Sequence, residues 1–472
     1  MDASGTPTET QLFQRVHLVA KNAEGPHIEH RSAGKGTDLK RPLPNNRLLP
    51  FCVNLIESEH PELKRPMPIK SLIFDPRDPD VIQRPLETLL RLQAEDPVHW
   101  SPLLKGWVLT RHDDVKAVQM NSGISSDRLT PFFESQPSSE QARLRDLIRY
   151  LNTWVAFKDP PDHTRLRSLL NKVVTPSVMR GLEEGIAELA DGLLDRIAAR
   201  GDGRFECVSE FANPLPASVI MDLLGVPRAD IDLLRDWSML LQPFLGNATA
   251  SDDKYETGRA GIVAMADYFR AAAAERQSRP REDVISHFVM LQQSGQITED
   301  ELVGSCILFL FAGHETTTNL IGNGIRALLA NPDQKARLAA DPSLLAGAVE
   351  EMLRYEGPTG AVVRVVKAPF ELRGKILRAG DRVFAMVNAA NHDPEVFESP
   401  ECFDIGRTPN RHLTFNHGIH FCLGAPLARS EARIAVNRLF ARFPNVAMAT
   451  DTVDYMDTLT MRGVREMVMV TG

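Results

Sequence analysis

The stretch Phe415-Asn416-His417-Gly418-Ile419-His420-Phe421-Cys422-Leu423-Gly424-Ala425-Pro426-Leu427-Ala428-Arg429 carries the strongest fold signal in the chain. Between Ala425 and Phe443 the apolar residues recur at helical spacing, and Pro426 suits the first turn of a helix, where its missing N–H costs nothing. Cys422 is therefore predicted to lie at a helix N-terminus. Unpaired amides and the positive end of the helix dipole lower the pKa of a thiol there, and the flanking glycines let backbone donors approach the sulfur. We expect Cys422 to be a thiolate that acts as a metal ligand or a nucleophile.

The same stretch matches the pattern F-x-x-G-x-H-x-C-x-G-x-x-L-A-R, which resembles the haem-ligand loop of the cytochrome P450 family. The resemblance implies that Cys422 is the thiolate ligand of the iron and that Phe415, Gly424 and His420 contact the cofactor, heme b (iron protoporphyrin IX). It also implies the cytochrome P450 fold, mostly α with a small β region. An alternative takes His417, His420 and Cys422 as zinc ligands. The sequence has no second cluster of the C-x-x-C type to complete a set of four.

Length, composition and charge fit a large enzyme. The chain has 472 residues, and its 43% hydrophobic content is enough to build a sizeable core. A net charge of −8, with no basic low-complexity tract, argues against nucleic acid as the main partner. The five cysteines are odd in number and widely scattered, which favours a reducing compartment over a disulfide scaffold.

Two segments bear on membrane attachment and domain organisation. The longest uncharged apolar-rich run near the centre, Leu302 to Gly313, is about half of the ~20 residues that a membrane span requires. Nothing near Met1 resembles a signal peptide or anchor, so we expect a cytoplasmic protein without a membrane anchor. Residues 1–70 mix Gly, Pro, Ser and charges without a sustained period and are predicted to form a loosely ordered extension. The resemblance to the cytochrome P450 family extends over residues 71–472 and implies that they form a haem-thiolate monooxygenase domain.

A capping box at Thr298-Glu299-Asp300-Glu301 opens an apolar helix that is predicted to end near Asn331. Within it, Ala312-Gly313-His314-Glu315-Thr316-Thr317 contains threonines whose hydroxyls compete for backbone carbonyls and are expected to open a bulge. An isolated Glu-Thr pair is most often a solvated glutamate beside β-branched filler. On the longest apolar helix, however, Glu315-Thr316 resembles the acid–alcohol pair with which the cytochrome P450 family passes protons to dioxygen. The resemblance also places Ala312 against the haem.

Glu351 and Arg354 form an i,i+3 pair on a helix that is predicted to begin near Asp341-Pro342. Such a pair is usually a surface ion pair that contributes about 0–1 kcal/mol. Together with Arg407, in the pattern F-x-x-P-x-x-F-x-x-x-R, it resembles the E-x-x-R/arginine triad that fixes the core on the cysteine side of the haem. We assign these residues a structural role, so that breaking the triad is expected to cost folding or haem retention before chemistry.

The stretch Asp159-Pro160-Pro161-Asp162 predicts a helix start, after which His163 and Arg167, four residues apart, share one helix face. Haem carries two propionates, and burying such anions is costly unless they are paired. By resemblance, the propionate partners are His163, Arg167, Arg364 and His420. The alternative for Arg364 is an ordinary exposed charge on a strand, because valines flank it on both sides.

The source of electrons is predicted from missing motifs. Gly322-Asn323-Gly324 lies inside the predicted long helix with no strand before it, so it does not form a dinucleotide-binding loop. The sequence also lacks an iron–sulfur cysteine cluster. The resemblance implies a separate ferredoxin or flavodoxin, served by its own reductase, that docks on the face carrying the cysteine ligand. Arg165, Arg429 and Arg433 are the candidate basic contacts.

The resemblance therefore predicts a haem-thiolate monooxygenase that inserts one oxygen atom of O2 into a C–H bond of a small hydrophobic substrate, by hydroxylation or epoxidation. A peroxide-driven haem-thiolate peroxygenase would share Cys422 but would not need Glu315-Thr316. A non-catalytic haem-thiolate sensor or binding protein would need neither that pair nor basic residues beside the cysteine. The predicted pocket walls are mainly small or apolar. They are the loop around Ser122 to Phe133, the stretch near Leu240 to Thr249, Leu308 and Ala312 on the long helix, Thr359-Gly360-Ala361, and Thr458 to Thr460. They suit a bulky terpenoid, steroid, polyketide or fatty acid.

Overall fold

The computed structural model describes residues 74–246 and 253–472, which lie within one unit spanning Ser71–Gly472. The described chain is mostly α with a small β region, so the predicted fold class is confirmed. The extension predicted for residues 1–70 lies outside the described residues.

The helices, numbered in chain order, are α1 Pro79–Gln83, α2 Pro85–Glu95, α3 His112–Met120, α4 Leu129–Glu134, α5 Ser138–Leu151, α6 Asp162–Leu170, α7 Pro176–Arg200, α8 Pro214–Leu224, α9 Ile231–Met239, α10 Gln242–Leu245, α11 Lys254–Ser278, α12 Val284–Gln293, α13 Glu299–Ala330, α14 Pro332–Ala340, α15 Leu345–Glu356, α16 Val387–Ala390 and α17 Ala425–Arg442. The strands are β1 Val98–Ser101, β2 Gly106–Leu109, β3 Ile124–Ser125, β4 Arg204–Glu206, β5 Ala361–Val366, β6 Phe370–Leu372, β7 Lys375–Leu377, β8 Arg382–Met386, β9 Ala447–Met448, β10 Asp454–Tyr455, β11 Val464–Glu466 and β12 Val468–Val470. Short 3-10 turns lie at Val155–Phe157, Arg228–Asp230, Pro342–Leu344 and Gly418–His420, and a π turn lies at Val208–Ala212.

Helix α13 is the longest of the described helices, and its start follows the predicted capping box. The hydroxyl of Thr298 accepts a hydrogen bond from the amide of Glu301, whose carboxylate accepts one from the amide of Thr298. The helix then continues without a break to Ala330, so the predicted bulge is wrong. The hydroxyl of Thr316 does donate to the carbonyl of Ala312, at 2.7 Å. A carbonyl oxygen has two lone pairs, so it can accept this bond and still take part in the helix.

Helices α13 and α8 approach each other closely at Gly313. A Cβ atom built on Gly313 would lie 2.8 Å from Cδ1 of Ile220, so a larger residue would require the Ile220 side chain or the helices to shift. The close approach brings Ile220 and Leu223 of α8 to the wall of the cavity described below. Helix packing therefore favours glycine at position 313, next to the sequence of the acid–alcohol pair.

The main sheet has five strands in the order β1-β2-β8-β5-β3, with β2 and β8 parallel and the other neighbours antiparallel. It takes β5 and β8 from the region 361–390, whose last residues form α16. Arg364 pairs with Val383 in the β5–β8 register and lies on an interior strand. The alternative of an exposed strand charge is wrong, because Arg364 is only 8% exposed.

Two large apolar clusters fill the helical part of the molecule, and α13 contributes to both. Leu302 and Leu310 belong to one cluster, and Leu320 and Leu328 to the other. No helix in the described ranges combines the length and the hydropathy that a membrane span needs.

Candidate active site

A cavity of about 390 Å³ lies between α13, α6, β5 and the loop that precedes α17. Most of the predicted site residues line it, namely His163, Arg167, Ala312, Arg364, His420, Cys422 and Gly424. The remainder of the wall is largely apolar. Three predicted residues do not line this cavity: Phe415, Glu315 and Thr316.

Cys422 lies between the 3-10 turn Gly418–His420 and the first turn of α17, so its predicted place before a helix N-terminus is confirmed. Its amide donates to the carbonyl of Phe415 at 2.8 Å and closes the loop. The reversal of the chain uses left-handed backbone at Asn416, with φ 64°, and at Gly418, with φ 69°. Asparagine tolerates this region better than most residues, which explains how Asn416 serves at a position where glycine would be expected.

The pKa of the Cys422 thiol is raised above its ordinary value, contrary to the expectation from the helix N-terminus. Burial is the largest cause, because a thiolate in this wall loses its hydration. The amides of Gly424 and Ala425 and the guanidinium groups of Arg167 and Arg429 act in the opposite direction without compensating for burial. The helix end is visible in the sequence, whereas the desolvation of the thiol depends on the fold around it. A thiolate here needs a further positive charge at the sulfur, which a metal ion can supply.

His163 and His420 face each other across one side of the cavity, with their ring centroids 4.3 Å apart. Neither ring nitrogen of the buried His163 has a hydrogen-bond partner among the described residues, whereas Nε2 of His420 lies 2.8 Å from the hydroxyl of Ser126. Burial lowers the pKa of both imidazoles, and for His420 the pKa falls to about 3. The pair therefore offers neutral rings with unused hydrogen-bonding capacity to a ligand in the cavity.

Three arginines line the same cavity without an ion-pair partner among the described residues: Arg128, Arg167 and Arg364. The guanidinium of Arg364 donates to the carbonyl of Val363 at 3.0 Å. Burial, and secondarily a neighbouring arginine, lowers the pKa of Arg128 and of Arg364 to about 10. Arg128 lies in the loop around Ser122 to Phe133 that was predicted as a pocket wall, but no role was predicted for it, because a single arginine in a loop carries no periodic or motif signal.

The donors around the cavity fit a haem. Buried cations are costly unless an anion pairs with them, and the two propionates of haem are such anions. The unpartnered nitrogens of His163 and the unpaired Arg364 are oriented to the same cavity as the Cys422 sulfur. A Cβ atom built on Gly424 would meet nothing within 4 Å, so this part of the wall leaves open space for a flat ring. The residues that could hold the cofactor are therefore the predicted ones that line this cavity: His163, Arg167, Ala312, Arg364, His420, Cys422 and Gly424.

Glu315 and Thr316 lie one helical turn beyond Ala312 on α13. Glu315 is buried, and its Oε1 has no hydrogen-bond partner within the described part of the chain. Burial raises the pKa of Glu315 to about 7, although an interaction with Gln242 of α10 acts against the rise. Glu315 can therefore gain and lose a proton near neutral pH. Gln242 was not predicted, because α10 and α13 are far apart in the sequence.

The predicted triad of Glu351, Arg354 and Arg407 forms in the structure and is fully engaged. Arg354 donates to both carboxylate oxygens of Glu351, at 2.7 and 2.9 Å, and Arg407 approaches the same oxygens at 3.1 and 3.2 Å. The remaining guanidinium nitrogens donate to backbone carbonyls, including those of Pro400 and Cys402. The carboxylate and both cations are therefore satisfied by the protein itself.

The arginines predicted as contacts for a redox partner are each paired with an acidic side chain of the protein. The pairs are Arg165 with Glu301, Arg429 with Glu350, and Arg433 with Glu183. Because each positive charge is largely neutralised, the structure does not support these residues as free basic contacts. Sequence reasoning could not foresee the pairs, since the partners are distant in the chain.

Comparison with known proteins agrees with the geometry. The family model for cytochrome P450 matches residues 238–465. The chain is 35% identical to the biotin biosynthesis cytochrome P450 of Bacillus subtilis (strain 168), with 82% of this chain and 96% of that protein covered. It is 39% identical to the cytochrome P450 monooxygenase PikC of Streptomyces venezuelae, with 78% and 86% covered. The solved structure of P450BioI in complex with an acyl carrier protein ligated to hexadec-9Z-enoic acid matches with a TM-score of 0.77, at 34% identity, with 83% of this chain and 99% of that chain covered.

Proposed function

The chain belongs to the cytochrome P450 family and is a haem-thiolate monooxygenase, and we propose that Cys422 is the thiolate ligand of its haem iron. The observation that supports this assignment is that the cavity brings together the Cys422 sulfur, the unpartnered His163 ring and the unpaired Arg364. We assign the propionates to four residues: His163, Arg167, Arg364 and His420.

The cofactor is proposed to be heme b, held without covalent bonds to the chain. Covalent attachment of haem uses the C-x-x-C-H motif, and no two cysteines in the sequence have that spacing. Gly424 leaves room for the ring, and Ala312 presents a small side chain on the side of α13. Phe415 supports the ligand loop, because the guanidinium of Arg429 covers its ring at 4.5 Å and its carbonyl holds the amide of Cys422.

The bound haem supplies the oxygen chemistry, in which O2 is activated after reduction and one oxygen atom enters a C–H bond of the substrate. The protein orients the substrate, limits water and delivers protons. Glu315 is suited to carry protons because the raised pKa of about 7 allows both of its protonation states near neutral pH. We propose that Glu315 collects protons from the solvent side and that the hydroxyl of Thr316 passes them towards the cavity.

The substrate is proposed to be a small hydrophobic molecule that lies above Ala312. Leu308, Ala361 and Thr460, which were predicted as walls, do line the cavity together with Ile220. The predicted stretch near residues 240–249 is described only to Gly246. P450BioI binds a hexadec-9Z-enoic acid on its carrier protein, and this supports a substrate with a long hydrocarbon chain here.

Electrons are proposed to arrive from a ferredoxin or flavodoxin that docks beside Cys422. The exposed apolar side chains there are Ile419 and Phe421, and Gly418 packs against the end of α3 near Met120, which is also exposed. Ile419, Phe421 and Met120 replace the paired arginines as candidate contacts.

The variant Phe421→Ser should slow reduction of the iron by a ferredoxin while reduction by dithionite stays unchanged. Equal slowing by both reductants would place Phe421 in the support of the haem instead.

The assignment of Cys422 is tested by the carbon monoxide spectrum of the reduced protein. The wild-type protein should show a thiolate-type carbonyl band, and Cys422→Ser should lose this band and the monooxygenase activity. Cys402→Ser is the matched control, because Cys402 is similarly half-buried but lies away from the cavity. Retention of the thiolate-type band in Cys422→Ser would reject the proposed ligand.

A further inference from the structure

Arg128 is a cation of the cavity wall that the proposed cofactor site does not use. It comes just before α4 and lines the cavity. Its guanidinium lies 5.2 Å from the centre of the Phe157 ring and approaches the carbonyl of Leu245 at 3.5 Å, the outer limit of a hydrogen bond. Among the described residues, no carboxylate forms an ion pair with it. The residue therefore has one weak acceptor for five N–H groups.

The acids that could neutralise Arg128 are engaged elsewhere. Asp127, its neighbour in the chain, accepts hydrogen bonds from the amides of Leu129 and Thr130 at the start of α4. Asp159, which acts electrostatically on Arg364, accepts from the hydroxyl of Ser125 at 2.7 Å and from the amide of Ser126 at 2.9 Å. These carboxylates already have the partners that they need.

The charges that act on Arg128 are positive. Arg382 is the neighbouring charge that lowers its pKa, and Arg128 in turn lowers the pKa of Arg364. Like charges in a partly desolvated wall repel each other, and this arrangement persists only because the fold holds it. An anion that enters the cavity beside Arg128 would relieve both the desolvation and the repulsion.

The position of Arg128 favours a substrate over the haem as the source of that anion. Leu245 ends α10, and the next carbonyl, that of Gly246, accepts from the amide of Leu459 at 3.3 Å. The Leu459 loop continues to Thr460, which lines the cavity. Arg128 thus contacts the part of the wall where α10 meets this loop. The two propionates already have four candidate partners, so they do not require a fifth donor.

We propose that Arg128 binds the carboxylate of the substrate, which assigns the substrate to the class of long-chain organic acids. This inference rests on the proposed function and narrows it. A guanidinium binds a carboxylate through two parallel hydrogen bonds, which fixes one end of the molecule. The hydrocarbon chain then extends along the apolar wall formed by Ile220, Leu308 and Ala312.

The test compares hexadecanoic acid with 1-hexadecanol, which differ only in the charged end. Binding to the haem-loaded protein is measured by the spin-state shift of the ferric iron, and independently by calorimetry. Arg128→Gln should lower the affinity for hexadecanoic acid by about 30-fold, within the range found when one partner of a buried charge pair is removed. Its affinity for 1-hexadecanol should change by no more than about threefold. Arg128→Lys should retain part of the affinity for the acid because the charge remains. Arg382→Gln is the control, since this neighbouring arginine does not line the cavity.

Three results would overturn the inference. Equal loss of acid and alcohol affinity would show that Arg128 only shapes the wall. Loss of haem from Arg128→Gln, with normal acid affinity in the fraction that retains haem, would assign its carboxylate partner to the propionates. Unchanged acid affinity in Arg128→Gln would leave no role for the charge. Failure of the proposed function is distinguishable from all three, because it removes the thiolate-type carbonyl band from the wild-type protein.

Discussion

Arg354 and Arg364 are both buried arginines, but the protein satisfies one and leaves the other open. Arg354 donates to both oxygens of Glu351 and to three backbone carbonyls. Arg364 donates to the carbonyl of the preceding residue and forms no ion pair with a described residue. The first arrangement completes itself during folding. The second is complete only when an anion occupies the cavity.

This difference separates residues that stabilise the fold from residues that bind a ligand. A buried charge whose partners are all in the protein contributes to the folded state whether or not a cofactor is present. A buried charge without partners destabilises the empty protein and gains its partner on binding. Removing one charge of each kind should therefore have opposite effects on the empty protein.

The largest expected effect comes from breaking the satisfied network with Glu351→Ala. This change leaves Arg354 and Arg407 buried without their carboxylate, and removal of one partner of a buried ion pair costs roughly 3–5 kcal/mol. We expect the free energy of unfolding, measured in urea, to fall by that amount with or without haem. Asp195→Ala is the control, because Asp195 pairs with Arg442 at 3.0 Å and both side chains are largely exposed. An equal effect of both variants would remove the distinction between the buried network and an ordinary ion pair.

Glu315 is a buried carboxyl group with an unpartnered oxygen, and its contribution to the free energy of unfolding should depend on pH. Burial raises its pKa from 4.5 to about 7, so the folded protein binds more protons than the unfolded chain between these values. The stability of the wild-type protein relative to Glu315→Gln should therefore fall as the pH rises from 5 to 8, by about 2 kcal/mol. Urea unfolding of both proteins at the two pH values measures the change. A relative stability that does not vary with pH would show that Glu315 titrates near its ordinary value.

Polar groups whose partners lie within the protein were easier to predict from the sequence than buried polar groups that lack a partner. The capping box of α13, the helix after Cys422 and the i,i+3 pair of Glu351 and Arg354 depend on short-range patterns, which the sequence carries directly. Arg407 was added to that pair only through the family resemblance. The predicted bulge in α13 failed because Thr316 and the backbone can share one carbonyl. The predicted direction of the Cys422 pKa shift was wrong because the helix end is a local feature, whereas burial depends on the whole fold.

The buried polar residues that lack a partner among the described residues were predictable only where a family motif contains them. His163, Arg364 and His420 were identified through resemblance, and the structure brings them to one cavity. Arg128 and Gln242 belong to no motif, and they reach the site through contacts between segments that are distant in the chain. Sequence periodicity shows which face of an element is buried. It does not show which buried polar group lacks a partner.

Arg364→Gln tests the open arrangement directly. Without haem, loss of an unpaired cation should leave the free energy of unfolding unchanged or raise it. With haem, loss of a propionate partner should weaken retention by about 2 kcal/mol, or roughly 30-fold in the rate of transfer to an excess of a haem-scavenging protein. Arg354→Gln should instead destabilise both forms. A lower unfolding free energy of the haem-free Arg364→Gln protein would mean that Arg364 already has a stabilising partner.

The smallest expected effect concerns the Thr316 hydroxyl, which donates a hydrogen bond in the structure and would have to break that bond in order to pass a proton. The Thr316 hydroxyl donates to the carbonyl of Ala312, just as that of Thr317 donates to the carbonyl of Gly313. If Thr316 passes protons, Thr316→Ala should bind substrate normally while product formed per electron pair falls by about tenfold, because electrons are lost to peroxide or water. Thr317→Ser retains its hydroxyl and should keep wild-type coupling. Unchanged coupling in Thr316→Ala would place its hydroxyl among the satisfied groups that only stabilise α13.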